Sequence, residues 1–211
     1  FVHVPMLQLR EDFTVVSSIW ECQMISLAGR GGLIVGTRRV GSVVAKRLAE
    51  EGANLAIAYR KSKDEAERLR QEILPLVDHS CLIQGDLTNE TDVQRMLITA
   101  KKQLRDLSFV INLASDYFHT PFQFLDAHSW KRSMATAEGS FILAVHAMRQ
   151  MMSNQGPTRG QVILFGDWAA GDTPYRDFLP YLTAKSAIHF MTRAFAKEVA
   201  DHGILVNCIA P

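Results

Sequence analysis

GGLIVGTRRVGSVVAKRL, residues 31–48, is the stretch on which the fold turns. Gly31 to Val35 is a short apolar run, of the length and Ile/Val/Leu content of a strand buried on both faces. Gly36-Thr37-Arg38-Arg39-Val40-Gly41 follows, and a helix is expected over about 40–51. A glycine turn lets a backbone approach a pyrophosphate, and the helix N-terminus adds N–H groups and the positive end of a dipole. A tight strand-to-helix turn would explain two glycines alone; the strand before and the helix after point to a dinucleotide.

Outward from this unit the pattern repeats. Further strands are expected at about 54–59, 80–84, 108–112, 161–165 and 204–209, and helices at about 63–74, 90–104, 129–152 and 181–201. Short apolar strands alternating with helices imply a parallel sheet with right-handed crossovers, covered on both faces. The expected class is α/β, a Rossmann-type doubly wound parallel sheet in three α/β/α layers.

The end of the second strand selects the cofactor. A chain that binds NAD places an acid there for the ribose 2′-OH. Here the residues are Tyr59-Arg60-Lys61-Ser62, and with Arg38 and Arg39 they make a basic cluster suited to the 2′-phosphate of NADP. A solvated basic edge is the plainer alternative.

Tyr181 and Lys185 stand four residues apart on the last expected helix, hence on one face. An ammonium beside a phenol favours the phenolate and lowers a pKa that is ordinarily about 10. Such a tyrosine is a proton donor and acceptor for work near neutral pH. Chance often produces this spacing; the nucleotide-binding start gives it weight here.

With a net charge of +1, no large electrostatic footprint for nucleic acid is expected. No apolar run approaches the ~20 residues that span a bilayer. The three cysteines, Cys22, Cys81 and Cys208, are far apart and form no C-x-x-C pair, so neither zinc nor a disulfide framework is expected and a cytoplasmic setting is. The histidines lack metal-ligand spacing, and His189 and His202 read as helix-surface or helix-end residues. Residues 1–23 lack the charged and apolar regions of a signal peptide. They are expected to be an extension of doubtful order, or else a short hairpin packed on one NADP-binding domain at 24–211 that carries the catalytic site.

These motifs together resemble the short-chain dehydrogenase/reductase family, over nearly everything from Met24 to Pro211. In that family the site is carried by a Gly-rich first turn, an Asp after the third strand, an N-x-A-G-like motif, a Ser after the fifth strand, and Y-x-x-x-K. By resemblance, Asp86 in GDLTN is the adenine-contacting Asp, with Leu87 beside it, although Asp86 also reads as a helix-capping residue. Asn112, Ala114 and Ser115 in INLAS match the fourth-strand motif, Tyr181 and Lys185 the catalytic pair, and Pro211 the end of a V-N-x-x-x-P run.

The departures narrow the class. The usual first glycine of the turn falls on Val35 and the middle one on Arg39, and GTRRVG resembles the loop of pteridine reductases. NLASDYFHTPF resembles their substrate segment, giving Ser115 and Tyr117 to substrate. Asp167 in ILFGDWAAG takes the place of the catalytic Ser, as in pteridine reductases, with Trp168 next to it. The helix Asn that anchors the family's proton-relay water falls on Thr136, so that relay is weakened or rebuilt. The family continues past the position of Pro211 through a substrate-covering loop, a helix and a strand, so the domain is expected to be truncated relative to it.

A Ser hydroxyl donates a hydrogen bond to a ketone oxygen, whereas an ionised carboxylate only accepts. It also raises the pKa of a neighbouring tyrosine, against Lys185. Asp167 therefore suits a substrate with N–H donors, such as a pterin; alternatively it caps the following turn and faces away. The resemblance implies an NADPH-dependent reductase of C=N or C=O bonds, homo-oligomeric as a dimer or tetramer, acting on a small molecule without membrane, metal or nucleic acid. Pteridine-type reduction (dihydropterin or dihydrofolate) comes first, then 3-oxoacyl-[acyl-carrier-protein] or other carbonyl reduction. A non-catalytic NADP-binding regulatory protein is the reading from another class.

Overall fold

Each of the apolar runs forms a strand in a computed structural model that describes residues 26–211: β1 (Gly31–Val35), β2 (Asn54–Tyr59), β3 (Ser80–Gln84), β4 (Phe109–Asn112), β5 (Gly160–Phe165) and β6 (Ile204–Ile209). Between them lie α1 (Val40–Glu50), α2 (Lys63–Ile73), α3 (Glu90–Leu104), α4 (Ala127–Met151) and α5 (Leu179–Val199). The six strands form one sheet in the order β3-β2-β1-β4-β5-β6, and every pairing is parallel. The extension read at 1–23 lies outside the described residues.

Successive strand residues point to opposite faces, so a strand covered on both sides buries neighbours in different cores. Leu33 is fully buried with Leu97, Leu143 and Leu164 on the α3, α4 and α5 side. Ile34, also fully buried, packs with Ala45, Ala49, Leu69 and Ile73 under α1 and α2. Two cores on one sheet make the three layers of a doubly wound Rossmann-type fold.

Two helices begin earlier than their apolar periodicity suggests. The α4 start is set by Asp126, whose Oδ1 accepts from Ser129 N at 2.7 Å while Ser129 Oγ accepts from Asp126 N at 3.1 Å. In α5, Pro180 lies inside the first turn, where its missing N–H leaves no bond unmade. Tyr181 is thereby held on the first turn of α5, beside the ends of the strands.

The strand order reverses between β1 and β4, and ligands of such sheets bind in the crevice beyond the carboxyl ends at that point. There Gly36 adopts a φ of 87°, and a Cβ on it would lie 2.5 Å from Ala114 N. A Cβ on Gly41 would lie 1.9 Å from the Gly36 carbonyl oxygen. Alanine at a helix position usually stabilises by about 1 kcal/mol over glycine. Here an overlap with backbone decides the sign instead. Gly41→Ala is expected to destabilise by roughly 1–3 kcal/mol, measured as a lower urea midpoint; a raised midpoint would mean that α1 is free to shift.

Candidate active site

The site residues predicted from sequence lie at or just beyond the carboxyl ends of strands, in the first turn of α1, or on the first two turns of α5. Tyr181 is 9% exposed and Lys185 is 3% exposed. The two share a helix face, with Lys185 Nζ 5.7 Å from the Tyr181 ring centroid. The ammonium does not meet the phenol oxygen. Its hydrogen bond goes to the Phe165 carbonyl at 2.7 Å, at the end of β5. Burial lowers the Lys185 pKa to about 8, against the opposing pull of Asp167 and Cys208.

The Tyr181 hydroxyl instead donates to Asp167 Oδ2 at 2.7 Å. The expectation that Lys185 lowers the Tyr181 pKa is corrected: burial first, and the Asp167 hydrogen bond and charge next, push it well above the ordinary value of a tyrosine. The spacing puts phenol and ammonium on one face. The nearer carboxylate decides where the phenol proton points.

Asp167 caps the following turn, as one reading expected, but it does not face away, because its two oxygens are used separately. Oδ1 accepts from Ala169 N at 2.9 Å and caps the 3₁₀ turn Trp168–Ala170. Oδ2 faces the site, where it accepts from Tyr181 and, at 3.3 Å, from the Tyr175 hydroxyl. The backbone of Asp167 is held too, because its N–H donates to His189 Nε2 at 3.2 Å. His189 is thus no simple helix-surface residue. Gly166 makes room for it, since a Cβ there would lie 1.9 Å from His189 Nε2.

An aromatic wall completes this side. The Tyr117 ring stacks on Phe178 with centroids 4.4 Å apart and meets Tyr181 edge-on at 4.9 Å. Tyr175 packs against Phe178 at 5.1 Å. Sequence reasoning missed Tyr175, Phe178 and His189; the two aromatics stand in a loop without periodicity, and only their nearness to Tyr181 in the chain could have drawn attention to them. Ser115 and Trp168, both assigned to substrate, are exposed, and neither is hydrogen-bonded to Asp167 or Tyr181.

On the other side of the crevice, Thr37 is buried while Arg38, Arg39 and Val40 are exposed in the turn before α1. Arg39 takes the place of the usual middle glycine and has a φ of 50°, a conformation that glycine adopts without cost. At the end of β2 Tyr59 is half-buried; beyond it Arg60 and Lys61 are exposed, and Ser62 precedes α2 without a side-chain cap bond. Arg60 lies 3.6 Å from Asp86. Asp86 Oδ1 accepts from Thr88 N at 3.0 Å and Thr88 Oγ1 at 2.8 Å, and these bonds, the backbone one first, lower its pKa with help from Arg60. Asp86 thus holds the turn before α3 but does not cap the helix: its N-cap is Asn89, whose Oδ1 accepts from Asp92 N at 3.2 Å. Leu87 sits where a Cβ on Gly139 of α4 would meet it at 2.7 Å.

Asn112 is 2% exposed and ties β4 to α4: Nδ2 donates to Ser140 Oγ at 3.0 Å, and Oδ1 accepts from Ala114 N at 3.1 Å. Ser140 Oγ in turn donates to the Thr136 carbonyl at 2.7 Å. Pro211 is exposed just beyond β6. The turn between β1 and the N-terminus of α1, exposed at Arg38, Arg39 and Val40, fits the diphosphate of a nicotinamide dinucleotide.

The chain matches the short chain dehydrogenase family model over residues 33–211, and it belongs to that family of NAD(P)-dependent oxidoreductases. A curated relative, the hydroxynaphthalene reductase-like protein Arp2 of Metarhizium anisopliae, is 27% identical over 188 residues, 88% of this chain and 68% of the relative. A solved short-chain dehydrogenase/reductase of Serratia marcescens superposes with a TM-score of 0.80 at 26% identity, covering 88% of this chain and 75% of its own. A Burkholderia cenocepacia short chain dehydrogenase, solved in complex with NADP, shares the fold with a TM-score of 0.80 at 24% identity, over 88% and 75% of the two chains. Among the described residues, no helix is long and apolar enough to cross a membrane, and no cluster of metal-ligating side chains occurs.

Proposed function

We propose that this chain is an NADPH-dependent reductase of a planar ring substrate with N–H donors, of the pteridine type, acting at a C=N or C=O bond. The observation that carries it is Asp167 Oδ2, an acceptor beside Tyr181 and next to the Tyr117–Phe178 wall. Ring N–H groups of such a substrate match a carboxylate acceptor, and its flat faces match the aromatic rings. NADPH, when bound, supplies the hydride. Gly36 to Gly41, Asn112, Ala114 and Lys185 are the residues to hold it, and Asp86 and Leu87 border the adenine end.

Tyr181 holds the proton that the product receives. With its pKa raised, it stays protonated across neutral pH. It gives up that proton only to a strongly basic centre, such as the nitrogen or oxygen anion left when a C=N or C=O bond is reduced. Lys185 supplies the positive charge that steadies the phenolate left behind.

A second reading, a hydroxylated aromatic ketone as substrate, is favoured by the name of the Metarhizium relative. Its phenolic O–H groups would use the same acceptor. A panel of dihydropterins, dihydrofolate, hydroxynaphthalene ketones and 3-oxoacyl thioesters, followed by NADPH oxidation, separates these. Turnover of dihydropterins is expected. Turnover of 3-oxoacyl thioesters alone would overturn the role given to Asp167, and oxidation with none would leave a regulatory NADP-binding protein.

The basic cluster supports the choice of NADP. Arg38 and Arg39 form no ion pair among the described residues, and Arg60 has one long contact to Asp86. NADPH is expected to bind at least about tenfold more tightly than NADH, a difference of about 1.4 kcal/mol. Fluorescence titration of both cofactors checks it; equal affinities would reduce the cluster to a solvated edge.

A further inference from the structure

After Tyr181 has given its proton to product, it must recover one before the next turnover. Its hydroxyl has one hydrogen-bond neighbour among the described residues, Asp167 Oδ2 at 2.7 Å. The other nearby polar groups are engaged elsewhere. Lys185 Nζ is bonded to the Phe165 carbonyl, Asp167 Oδ1 to Ala169 N, and the Thr136 carbonyl to Ser140 Oγ. Thr136 stands where the resemblance places the Asn that anchors a relay water, and its carbonyl already accepts from Ser140 Oγ.

A different path leads outward. Asp167 Oδ2 also accepts from the Tyr175 hydroxyl, 3.3 Å away. Tyr117 and Tyr175 both pack on Phe178, with ring centroids 4.4 and 5.1 Å from it, which brings the Tyr117 phenol beside Tyr175, whose pKa it raises after burial. Tyr117 is 61% exposed. Tyr175 and Phe178 pack against Ala169, Ala170 and Tyr181, which keeps this phenol beside the carboxylate.

We propose that Tyr175 is a proton-relay residue: Tyr117, Tyr175 and Asp167 form a path from solvent that reloads Tyr181 between turnovers. The inference rests on Tyr181 being the proton donor of the proposed reaction. In each cycle the Tyr175 O–H bond breaks and its proton passes to Asp167 Oδ2. The same oxygen delivers a proton to the Tyr181 phenolate, re-forming that O–H bond. Tyr175 then takes a proton from Tyr117, and Tyr117 takes one from water. No electron moves, and the sum is one solvent proton replacing the one carried off by product. Transfer between two phenols through a shared carboxylate oxygen is close to thermoneutral when the two steps are concerted, so protonated Asp167 need not accumulate. The groups facing the path are Tyr117, Tyr181 and Lys185, with His189 behind Asp167 on its amide.

Rapid mixing of enzyme, excess NADPH and the best panel substrate tests this in wild type and Tyr175→Phe, with thermal melting to show that both are folded. In wild type, NADPH oxidation is expected to run linearly from the start. In Tyr175→Phe, one equivalent per site is expected at the wild-type rate, followed by turnovers slowed about tenfold or more. Raising the concentration of imidazole buffer is expected to restore the later turnovers, because a small acid reaches the phenolate from solvent. An unchanged steady rate in Tyr175→Phe overturns the relay and leaves the proposed reaction intact. So does equal slowing of first and later turnovers with no response to buffer, which would make Tyr175 only a prop for Asp167. Absence of oxidation in wild type with every panel member sinks the proposed reaction, and the relay with it.

Discussion

Tyr181→Phe is expected to lower turnover about 10²–10⁴-fold while leaving NADPH affinity within a factor of about two. The phenyl ring keeps its edge-on contact with Tyr117, so what is lost is one hydroxyl and its proton. Wild-type turnover should be level through neutral pH and fall as pH rises through about 8. The sign follows from Lys185, whose burial depresses its pKa to about 8. Below that pH it carries the charge that steadies the Tyr181 phenolate, and above it that charge is lost. Tyr181 itself, with its pKa raised, does not set the limb. A pH profile of kcat for wild type and Lys185→Met checks this: the variant should be slow throughout and show no fall near pH 8. A Tyr181→Phe enzyme with wild-type turnover would sink the assignment of the acid.

The fold was legible because burial on both sheet faces leaves its mark as short apolar runs, LIV in β1 and LAIAY in β2, bounded by turn residues. Helix starts were legible to within two residues. The errors fell where capping chemistry outruns apolar periodicity, at Asp126 and Pro180. The site was legible as a set of residues at strand ends, but not as a wiring diagram. Helical spacing puts Tyr181 and Lys185 on one face, yet the hydrogen bonds of each go to residues far off in sequence, Asp167 and Phe165. Likewise, the sequence offers no reason to pair Arg60 with Asp86, because that contact exists only once β2 and β3 lie side by side. Tyr175 had only its nearness to Tyr181 in the chain to mark it, because a loop residue's neighbours are set by the path of its loop and not by periodicity.

Asp167→Ser separates the substrate classes. Asp167 has two tasks on two oxygens, so the substitution has two separable effects. A serine hydroxyl can still accept from Ala169 N, as turn-capping serines do, so the stability loss should stay below about 1 kcal/mol. On the site side the change is larger. The substrate's N–H groups lose a charged acceptor, a loss of roughly 1.5–3 kcal/mol that corresponds to about a 10–150-fold fall in pterin turnover. Tyr181 loses the carboxylate that holds its proton and raises its pKa, and becomes a stronger acid. A simple ketone gains a hydroxyl donor and a better proton donor at the same time, so its turnover should hold or rise. The ratio of the two activities is therefore the informative quantity, because a general loss of folded protein would lower both equally. An unchanged ratio in a variant with a wild-type melting curve would mean that Oδ2 serves only Tyr181 and Tyr175 and never meets the substrate.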